Sequence, residues 1–297
     1  EKPAVSKGGI PMLEDLYASS MDIAAYLRRI GMDPQRYDRR LHPELPPSPT
    51  DYSMPQTKES LDLLINAHLH HVPFENLDIY DLRKEVSLAL PALFQKIVVQ
   101  KRGGYCFELN ALFFALLEGL GFRAYPIAQR VLLGEDFAPL NHRAAVVTLE
   151  STRERLLCDV GFGGPMPVTA LRLECGAVQK SGKLRFRLDT EFRRGLRRLI
   201  LVGKKKEIPL MLFSAAPVDP VDFIPLNTYM TCHKKSIFYC NRILNLLREG
   251  GSVSVVNDRL RIHHDGRLEE RPIASRAELK RICVDYFGIP EESLIEF

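Results

Sequence analysis

Cys106 is the residue in this sequence whose position best suits nucleophilic chemistry. It lies in RGGYCFELN, residues 102–110, and apolar residues with helical spacing follow it as far as position 120. Cys106 is therefore expected in the first turn of a buried helix, where unpaired N–H groups favour a thiolate. Most free cysteines are small buried apolar residues, and this alternative stays open on the position alone.

A cysteine nucleophile needs a base, and the base needs a group that orients it. The segment NHRAAVVTLESTRERLLCDVGFGG, residues 141–164, has the pattern of a β-hairpin with strands at 142–149 and 155–160. His142 opens the first strand and Asp159 nearly closes the second. Because paired strands lie about 4.8 Å apart, we expect the two side chains to meet. Taken singly, each is an ordinary polar residue at a strand end or turn.

Helices are expected before these residues and strands around and after them. The helical segments are 21–30, 57–71, 88–99 and the helix from Cys106; the strand-like segments are 124–131, 142–149, 155–160, 183–188, 196–202, 208–213, 237–240, 253–256 and 259–263, before a final helix at 275–287. This order predicts an α+β fold. We divide it into a leader (1–20), a helical bundle with the nucleophile (21–120), a β-barrel with His142 and Asp159 (121–225) and a last mixed part (226–297).

The composition restricts the class of protein. The chain has 297 residues, 45% hydrophobic and 26% charged, with a net charge of +4, which is typical of a globular protein and permits an anionic ligand. No apolar run approaches the roughly 20 residues that span a bilayer, and residues 1–20 have no secretory signal pattern. Six cysteines without a CxxC pair argue against a disulfide scaffold or a structural zinc site. We expect a cytoplasmic protein.

Several separated segments resemble one enzyme family. RGGYCFELN resembles the R-G-G-x-C-x-E motif of the arylamine N-acetyltransferases. VPFENLDI at 72–79, the histidine that opens a strand, and DVGFG at 159–163 follow in the family's order. The N-terminal MDIAAYLRRIGMD and, more weakly, DFIPLNTYM at 222–230 also match. The resemblance covers about residues 21–240.

The resemblance implies a triad with Cys106 as nucleophile, His142 as base and Asp159 as the group that orients His142. It implies a cysteine-protease-like catalytic core in an N-terminal helical bundle, a central β-barrel and a C-terminal α/β lid. Its implied activity is ping-pong transfer of an acetyl group from acetyl-coenzyme A to an arylamine, arylhydrazine or N-hydroxyarylamine, as in xenobiotic metabolism. We expect a monomer that needs no metal, nucleic acid or membrane.

The resemblance also suggests substrate contacts. Phe74 and Phe162 would form walls of the acceptor pocket, with ordinary core packing as the alternative. Gly161, Gly163 and Gly164 would lie close to the coenzyme A entrance, and further coenzyme contacts would fall near residues 227–236. The basic stretch 193–206 is either a phosphate-attracting surface or a solvated hairpin. Arg102 and Glu108 are expected to form a buried ion pair with each other.

Other functions fit the same triad. An N-malonyltransferase would use malonyl-coenzyme A on this scaffold, and a cysteine hydrolase would transfer the acyl group to water. A non-enzymatic binding module would keep the fold with an inactive site, which an intact Cys, His and Asp argue against. A malonyl donor needs a cation near its carboxylate. Because neighbouring strand side chains point to opposite faces, Arg143 should turn away from the thiol, which favours acetyl or propionyl.

Overall fold

A computed structural model describes residues 13–17, 21–132, 137–191 and 195–296. Of the expected leader, only residues 13–17 are described, and Leu13–Leu16 forms a single helical turn, α1. No helix in these four stretches is long and apolar enough to cross a membrane. The other helices before the barrel are α2 (Ile23–Arg29), α3 (Lys58–His71), α4 (Leu77–Tyr80), α5 (Leu90–Phe94) and α6 (Cys106–Gly119).

Local signals set the ends of these helices. The hydroxyl of Thr57 accepts a hydrogen bond from the Ser60 N–H at 3.3 Å and caps α3, as expected for this residue type. The helix expected at 88–99 begins later, at Leu90, because Pro91 favours the first turn of a helix. It then widens into a π-helical turn, Gln95–Val99. Helix α6 is buried on nearly all sides and forms the centre of the helical part.

The middle of the chain forms an antiparallel sheet that curls into a nearly closed barrel. Its eight strands run in the order β5-β4-β3-β2-β9-β8-β7-β6. They are β2 (Arg123–Val131), β3 (His142–Thr148), β4 (Arg155–Cys158), β5 (Leu171–Arg172), β6 (Val178–Ser181), β7 (Leu184–Glu191), β8 (Leu196–Val202) and β9 (Glu207–Phe213). The side-chain amide of Gln179 on β6 exchanges two 2.8 Å hydrogen bonds with the main chain of Arg172 on β5. A side chain thus bridges the two edge strands.

The last part of the chain is a second antiparallel sheet with helices on it. It contains α7 (Phe223–Cys232), α8 (Ile237–Cys240), β10 (Ile243–Arg248), β11 (Gly251–Val256), β12 (Arg259–His264), β13 (Arg267–Pro272) and α9 (Arg276–Phe287). The strand expected at 237–240 is wrong: the Ser236 hydroxyl accepts from the Phe238 N–H at 3.2 Å and starts helix α8 instead. The short strand β1 (Phe74–Glu75) from the helical part joins this sheet beside β10. The predicted α+β class with bundle, barrel and lid is confirmed.

Candidate active site

Cys106 is the first residue of α6 and only 1% of its surface is exposed. The loop before it passes very close to the chain at 73–75. A Cβ atom on Gly103 would lie 1.9 Å from the carbonyl oxygen of Pro73, so only glycine fits there. The Glu75 N–H donates to the carbonyl oxygen of Gly104 at 2.9 Å. These contacts hold the start of α6, and the thiol with it, at a defined place.

Cys106, His142 and Asp159 lie together in a buried group. The Nε2 atom of His142 lies 2.7 Å from Oδ2 of Asp159. The Sγ atom of Cys106 lies 3.7 Å from the carbonyl oxygen of Asn141, the residue directly before His142. Because Nε2 is occupied by Asp159, Nδ1 is the ring nitrogen left for the sulfur. The fold therefore brings the three residues of the expected triad together, although they come from α6, the start of β3 and the segment after β4.

The neighbours of His142 favour its charged form. Burial alone would lower the pKa of this imidazole, but the charge and hydrogen bond of Asp159, with a smaller contribution from Cys106, raise it to about 10. At neutral pH the free protein therefore holds a proton on His142. The ring of Phe162 packs edge-on against the imidazole, with 6.0 Å between ring centroids, and limits its rotation.

Asn110 belongs to this site, and the sequence interpretation missed it. Its side-chain N–H group donates to Oδ1 of Asp159 at 2.9 Å, and its amide oxygen accepts from the Val160 N–H at 3.0 Å. The Gly161 N–H donates to the same carboxylate oxygen at 2.8 Å. Burial would raise the pKa of Asp159, but His142 and these donors lower it. A polar residue one helical turn after Cys106, in a helix whose other residues are mostly apolar, was the available signal.

The glycines after Asp159 have different environments. A Cβ atom on Gly161 would lie 2.9 Å from Cα of Cys106, and its N–H is used by Asp159, so this residue packs the triad and leaves no N–H for a ligand. Gly163 has a φ of +72°, and its Cβ would lie 2.9 Å from the ring of Phe74. Gly163, Gly164 and Phe74 line an open groove, while Phe162 lies against His142.

The expected ion pair between Arg102 and Glu108 is wrong. Arg102 binds Glu75, with Nε 2.9 Å from Oε1, and Asp78, with a guanidinium nitrogen 2.9 Å from Oδ1. Glu108 instead binds Lys96, whose Nζ lies 2.8 Å from Oε1. The resemblance could not supply the true partners, because Lys96, Glu75 and Asp78 reach this place only through the tertiary packing.

The groove that begins beside the triad has a volume of about 700 Å³. Its wall includes Phe74, Val160 and Gly163 near the triad, and it crosses the end of α3, the β6–β7 hairpin and the sheet of the last part of the chain. Of the residues that the structure describes, four basic side chains and no carboxylate line it; the basic ones are His70, Lys183, Arg248 and His263. This combination suits a long ligand with an apolar arm and an anionic end.

The expected coenzyme contacts at 227–236 have a different environment. The Asn227 amide donates to the Val86 carbonyl oxygen at 2.8 Å and accepts from the Tyr105 hydroxyl. The Ser236 hydroxyl donates to the Met230 carbonyl oxygen at 2.6 Å. None of residues 227–236 lines the groove. Among the residues with described positions, no group of three or more His, Cys, Asp or Glu side chains is arranged to hold a metal.

Known proteins share this sequence and fold. The N-acetyltransferase family model matches residues 57–293. An arylamine N-acetyltransferase of Mycolicibacterium smegmatis is 31% identical over 91% of this chain and 92% of its own length. The solved M. smegmatis enzyme has a TM-score of 0.79 at 30% identity, covering 93% of this chain and 95% of that one. The Mycobacterium marinum enzyme in complex with CoA has a TM-score of 0.78 at 28% identity, covering 92% and 97%. This chain is an enzyme of the arylamine N-acetyltransferase family.

Proposed function

We propose that this enzyme transfers an acetyl group from acetyl-coenzyme A to an arylamine, arylhydrazine or N-hydroxyarylamine through an acetyl-Cys106 intermediate. The observation that carries the proposal is the buried group of Cys106, His142 and Asp159 at the start of α6, in which Asp159 holds the imidazole. A sulfur nucleophile, a base and a group that orients the base are the components of covalent acyl transfer.

In the first half-reaction the acetyl group moves from one sulfur to another. The Cys106 thiolate attacks the thioester carbonyl carbon, a new C–S bond forms, and the bond to the coenzyme sulfur breaks. His142, which holds a proton at neutral pH, gives it to the leaving coenzyme thiolate. The Cys106 N–H is one of the N–H groups that a helix leaves unpaired at its start, and it is our candidate donor to the oxyanion.

In the second half-reaction the acceptor amine attacks the acetyl-cysteine. His142, now neutral, takes a proton from the attacking nitrogen, the C–S bond to Cys106 breaks, and the amide leaves. The thiolate and the protonated imidazole are restored. Asp159 holds Nε2 of His142 throughout, so Nδ1 stays directed at the reacting atoms. We place Phe162 and Phe74 in the walls around the acceptor.

The basic groove is the proposed site of coenzyme A. Its apolar section near Phe74 and Gly163 would take the pantetheine arm, and its basic side chains would face the phosphates. Lys183 and Arg248 are exposed to solvent at the groove, so both can reach a bound anion. The coenzyme in the M. marinum complex supports a coenzyme A thioester as the donor.

The surroundings of Arg143 favour acetyl over malonyl as the acyl group. Its guanidinium stacks on Phe223, 4.5 Å from the ring centroid, and Ala128, its partner on β2, packs in the helical core. His142 is the preceding strand residue and points to the other face. Arg143 is therefore turned away from the thiol, where a malonyl carboxylate would need a cation.

The proposal is tested by mass spectrometry after incubation with acetyl-coenzyme A alone. We expect one acetyl group on the Cys106 peptide, with one equivalent of free coenzyme A, and its loss when aniline is added. Cys106→Ser should lower the rate of acetyl transfer at least about a hundredfold, since a hydroxyl is a far weaker nucleophile than a thiolate at neutral pH. Cys175→Ala, a change at an exposed cysteine, is the control and should leave labelling of Cys106 unchanged.

Three outcomes would contradict parts of this proposal. Transfer with no labelled enzyme, together with intersecting initial-rate lines, would indicate direct transfer in a ternary complex. Release of coenzyme A without aniline at the same rate as with it would indicate a hydrolase. A clear preference for malonyl-coenzyme A in direct competition would make this chain an N-malonyltransferase.

A further inference from the structure

Five charged side chains form a buried cluster behind the loop that carries the nucleophile. They are Glu75, Asp78, Lys96, Arg102 and Glu108, and we call them the charge cluster. Glu75 and Glu108 are fully buried, and only 13% of the Lys96 side chain is exposed. Buried charges are tolerated where they are paired and hydrogen-bonded, and removing one partner costs far more than the pair contributes.

Lys96 holds three members of the charge cluster together. Its Nζ lies 2.7 Å from Asp78, 2.8 Å from Glu108 and 4.0 Å from Glu75. It projects from the π-helical turn Gln95–Val99, a rare geometry that often occurs at functional sites. Among the described residues, the side-chain ammonium of Lys96 contacts only the carboxylates of the charge cluster, so its charge influences Cys106 through one of them.

Glu108 is that carboxylate. Its Oε1 accepts from Lys96, while its Oε2 accepts from the Tyr105 N–H at 3.0 Å. Tyr105 directly precedes Cys106, so this bond fixes the N-terminal end of α6 at the nucleophile. A Cβ atom on Gly104 would lie 2.8 Å from Oε2 of Glu108, which shows how closely the loop packs on this carboxylate. A continuous path therefore leads from Lys96 to the backbone of Cys106.

The charge cluster has one more carboxylate than it has cations, and loss of Lys96 would increase this excess to two. Three carboxylates face two cations, and removing Lys96 would leave Arg102 alone against all three. Burial, with Asp78 and Glu75 adding to it, raises the pKa of Glu108 to about 7 although Lys96 opposes this. Lys84 and Glu85 line a cavity of about 140 Å³ beside the cluster. Lys84 pairs with Glu296, and Glu85 accepts a hydrogen bond from Thr228. Within the described part of the chain, these two residues and the other cluster members are the charged groups that face Glu108.

We propose that Lys96 is a positioning residue of the reaction: it keeps Glu108 ionised, and the ionised carboxylate holds the Tyr105–Cys106 end of α6 in place. This inference rests on the proposed role of Cys106 as the nucleophile. An ionised acceptor makes a shorter and stronger hydrogen bond than a neutral one. When Glu108 takes up a proton, its bond to the Tyr105 N–H weakens and the thiol loses its defined position.

The test measures alkylation of Cys106 by iodoacetamide from pH 6 to pH 9, which requires no acyl transfer. We expect Lys96→Met to slow alkylation about tenfold at pH 7.5. It should also move the Glu108 inflection of the rate–pH profile upward by about one and a half pH units, because Lys96 lowers the pKa of Glu108. Lys96→Arg should retain at least about a third of the rate, since it restores the charge.

A double substitution separates positioning from general damage. Glu108→Gln removes the ionisable acceptor, so its profile of alkylation rate against pH should lack the inflection. Adding Lys96→Met to Glu108→Gln should change the alkylation rate less than twofold. Lys58→Met is the matched control, since Lys58 forms an ion pair with Asp62 on α3, away from the cluster. It should leave the profile unchanged. If Lys96→Met does not fold, Lys96→Gln takes its place.

Three results would overturn the inference. Lys96→Met could be alkylated at the wild-type rate, or its rate–pH profile could keep the wild-type inflection. Lys96→Met could also slow alkylation as much in the Glu108→Gln background as it does in the wild-type background. Acyl transfer by wild-type enzyme is measured in the same experiment. A wild-type Cys106 that is alkylated rapidly but accepts no acyl group would contradict the proposed function and leave this inference standing.

Discussion

His142 is the single residue whose chemistry depends most on its neighbours. In water an imidazole has a pKa near 6.5, and burial would lower that value further. Asp159 reverses this effect, so a buried histidine is charged at neutral pH. In the proposed mechanism this proton goes to the leaving coenzyme thiolate, and the same nitrogen later accepts a proton from the amine. One carboxylate therefore sets both the direction and the charge of the base.

Replacing Asp159 by Asn should make the loss of stability depend on pH. The pKa of His142 is raised in the folded protein, so its favourable contribution is fully present below about pH 6.5 and is lost as pH rises towards 10. The pKa of Asp159 is lowered, so its contribution is lost as pH falls below about 4. Urea unfolding of Asp159→Asn should therefore show the largest deficit, about 3–5 kcal/mol, between pH 5 and 6.5.

The deficit should shrink steadily when the same measurement is made at pH 8 and pH 9.5. Glu154→Gln is a suitable control, because Glu154 pairs with Arg172 at the surface and no histidine takes part. Its effect on stability should be flat from pH 5 to pH 9.5. A deficit for Asp159→Asn that is equally flat would show that His142 is not charged in the folded protein.

At the scale of elements, the turn after β4 connects the triad to the groove. Asp159 binds His142, Gly161 packs on Cys106, and only two residues later Gly163 packs on Phe74 at the groove wall. The positive φ of Gly163 makes this sharp change of direction possible. A small shift of the turn would therefore change both the orientation of Asp159 and the shape of the groove.

Gly163→Ala should damage both stability and activity. The left-handed backbone alone costs an alanine about 1–2 kcal/mol, and the new Cβ would also collide with the Phe74 ring at 2.9 Å. Gly176→Ala is the matched control, since Gly176 has a φ of +92° but nothing within 4 Å of its Cβ position. Both variants should lose thermal stability, but only Gly163→Ala should lower kcat/KM for the acyl donor, about tenfold or more. If Gly163→Ala and Gly176→Ala have equal kcat/KM values, the contact between Gly163 and Phe74 does not affect the acyl-donor site.

At the scale of the whole molecule, the groove exists only where all three parts of the chain meet. The end of α3, the turn after Asp159, the β6–β7 hairpin and the sheet of the last part each supply a wall. Strand β1 pairs with β10 and fixes the last part against the helical part right next to the nucleophile loop. The last part therefore does more than cover the site, since it supplies basic side chains for the proposed coenzyme contacts.

Lys183→Ala and Arg248→Ala should each raise KM for acetyl-coenzyme A about three- to fivefold with little change in kcat. An exposed cation contributes about 1 kcal/mol or less to such a contact. The effect should fade in 0.5 M salt, where exposed charges are screened within a few ångström. Lys204→Ala and Lys205→Ala, in the exposed hairpin within the basic stretch 193–206, serve as controls. A larger increase of KM in these two controls would indicate that the coenzyme phosphates bind at that hairpin instead of in the groove.

Patterns within single segments were enough to predict the α+β class, most of the elements and the chemical groups of the candidate site. Apolar periodicity, the caps at Thr57 and Ser275 and the hairpin at 141–164 are local signals, and each depends on residues close together in the chain. The hairpin was enough to predict that His142 and Asp159 would meet. The helix at Ile237–Cys240 was missed because its cap, Ser236, begins only a single turn.

The pairing of the charges and the position of the groove depend on how distant segments pack in three dimensions. Arg102 and Glu108 are close in sequence, yet each binds partners from other elements. A buried charge without a partner is costly, so each pairs with an opposite charge that the packing brings close. The same holds for Asn110, whose amide reaches Asp159 across 49 positions of the chain. Such contacts depend on how helices, barrel and last sheet pack together, and the periodicity of a single segment carries no information about that packing.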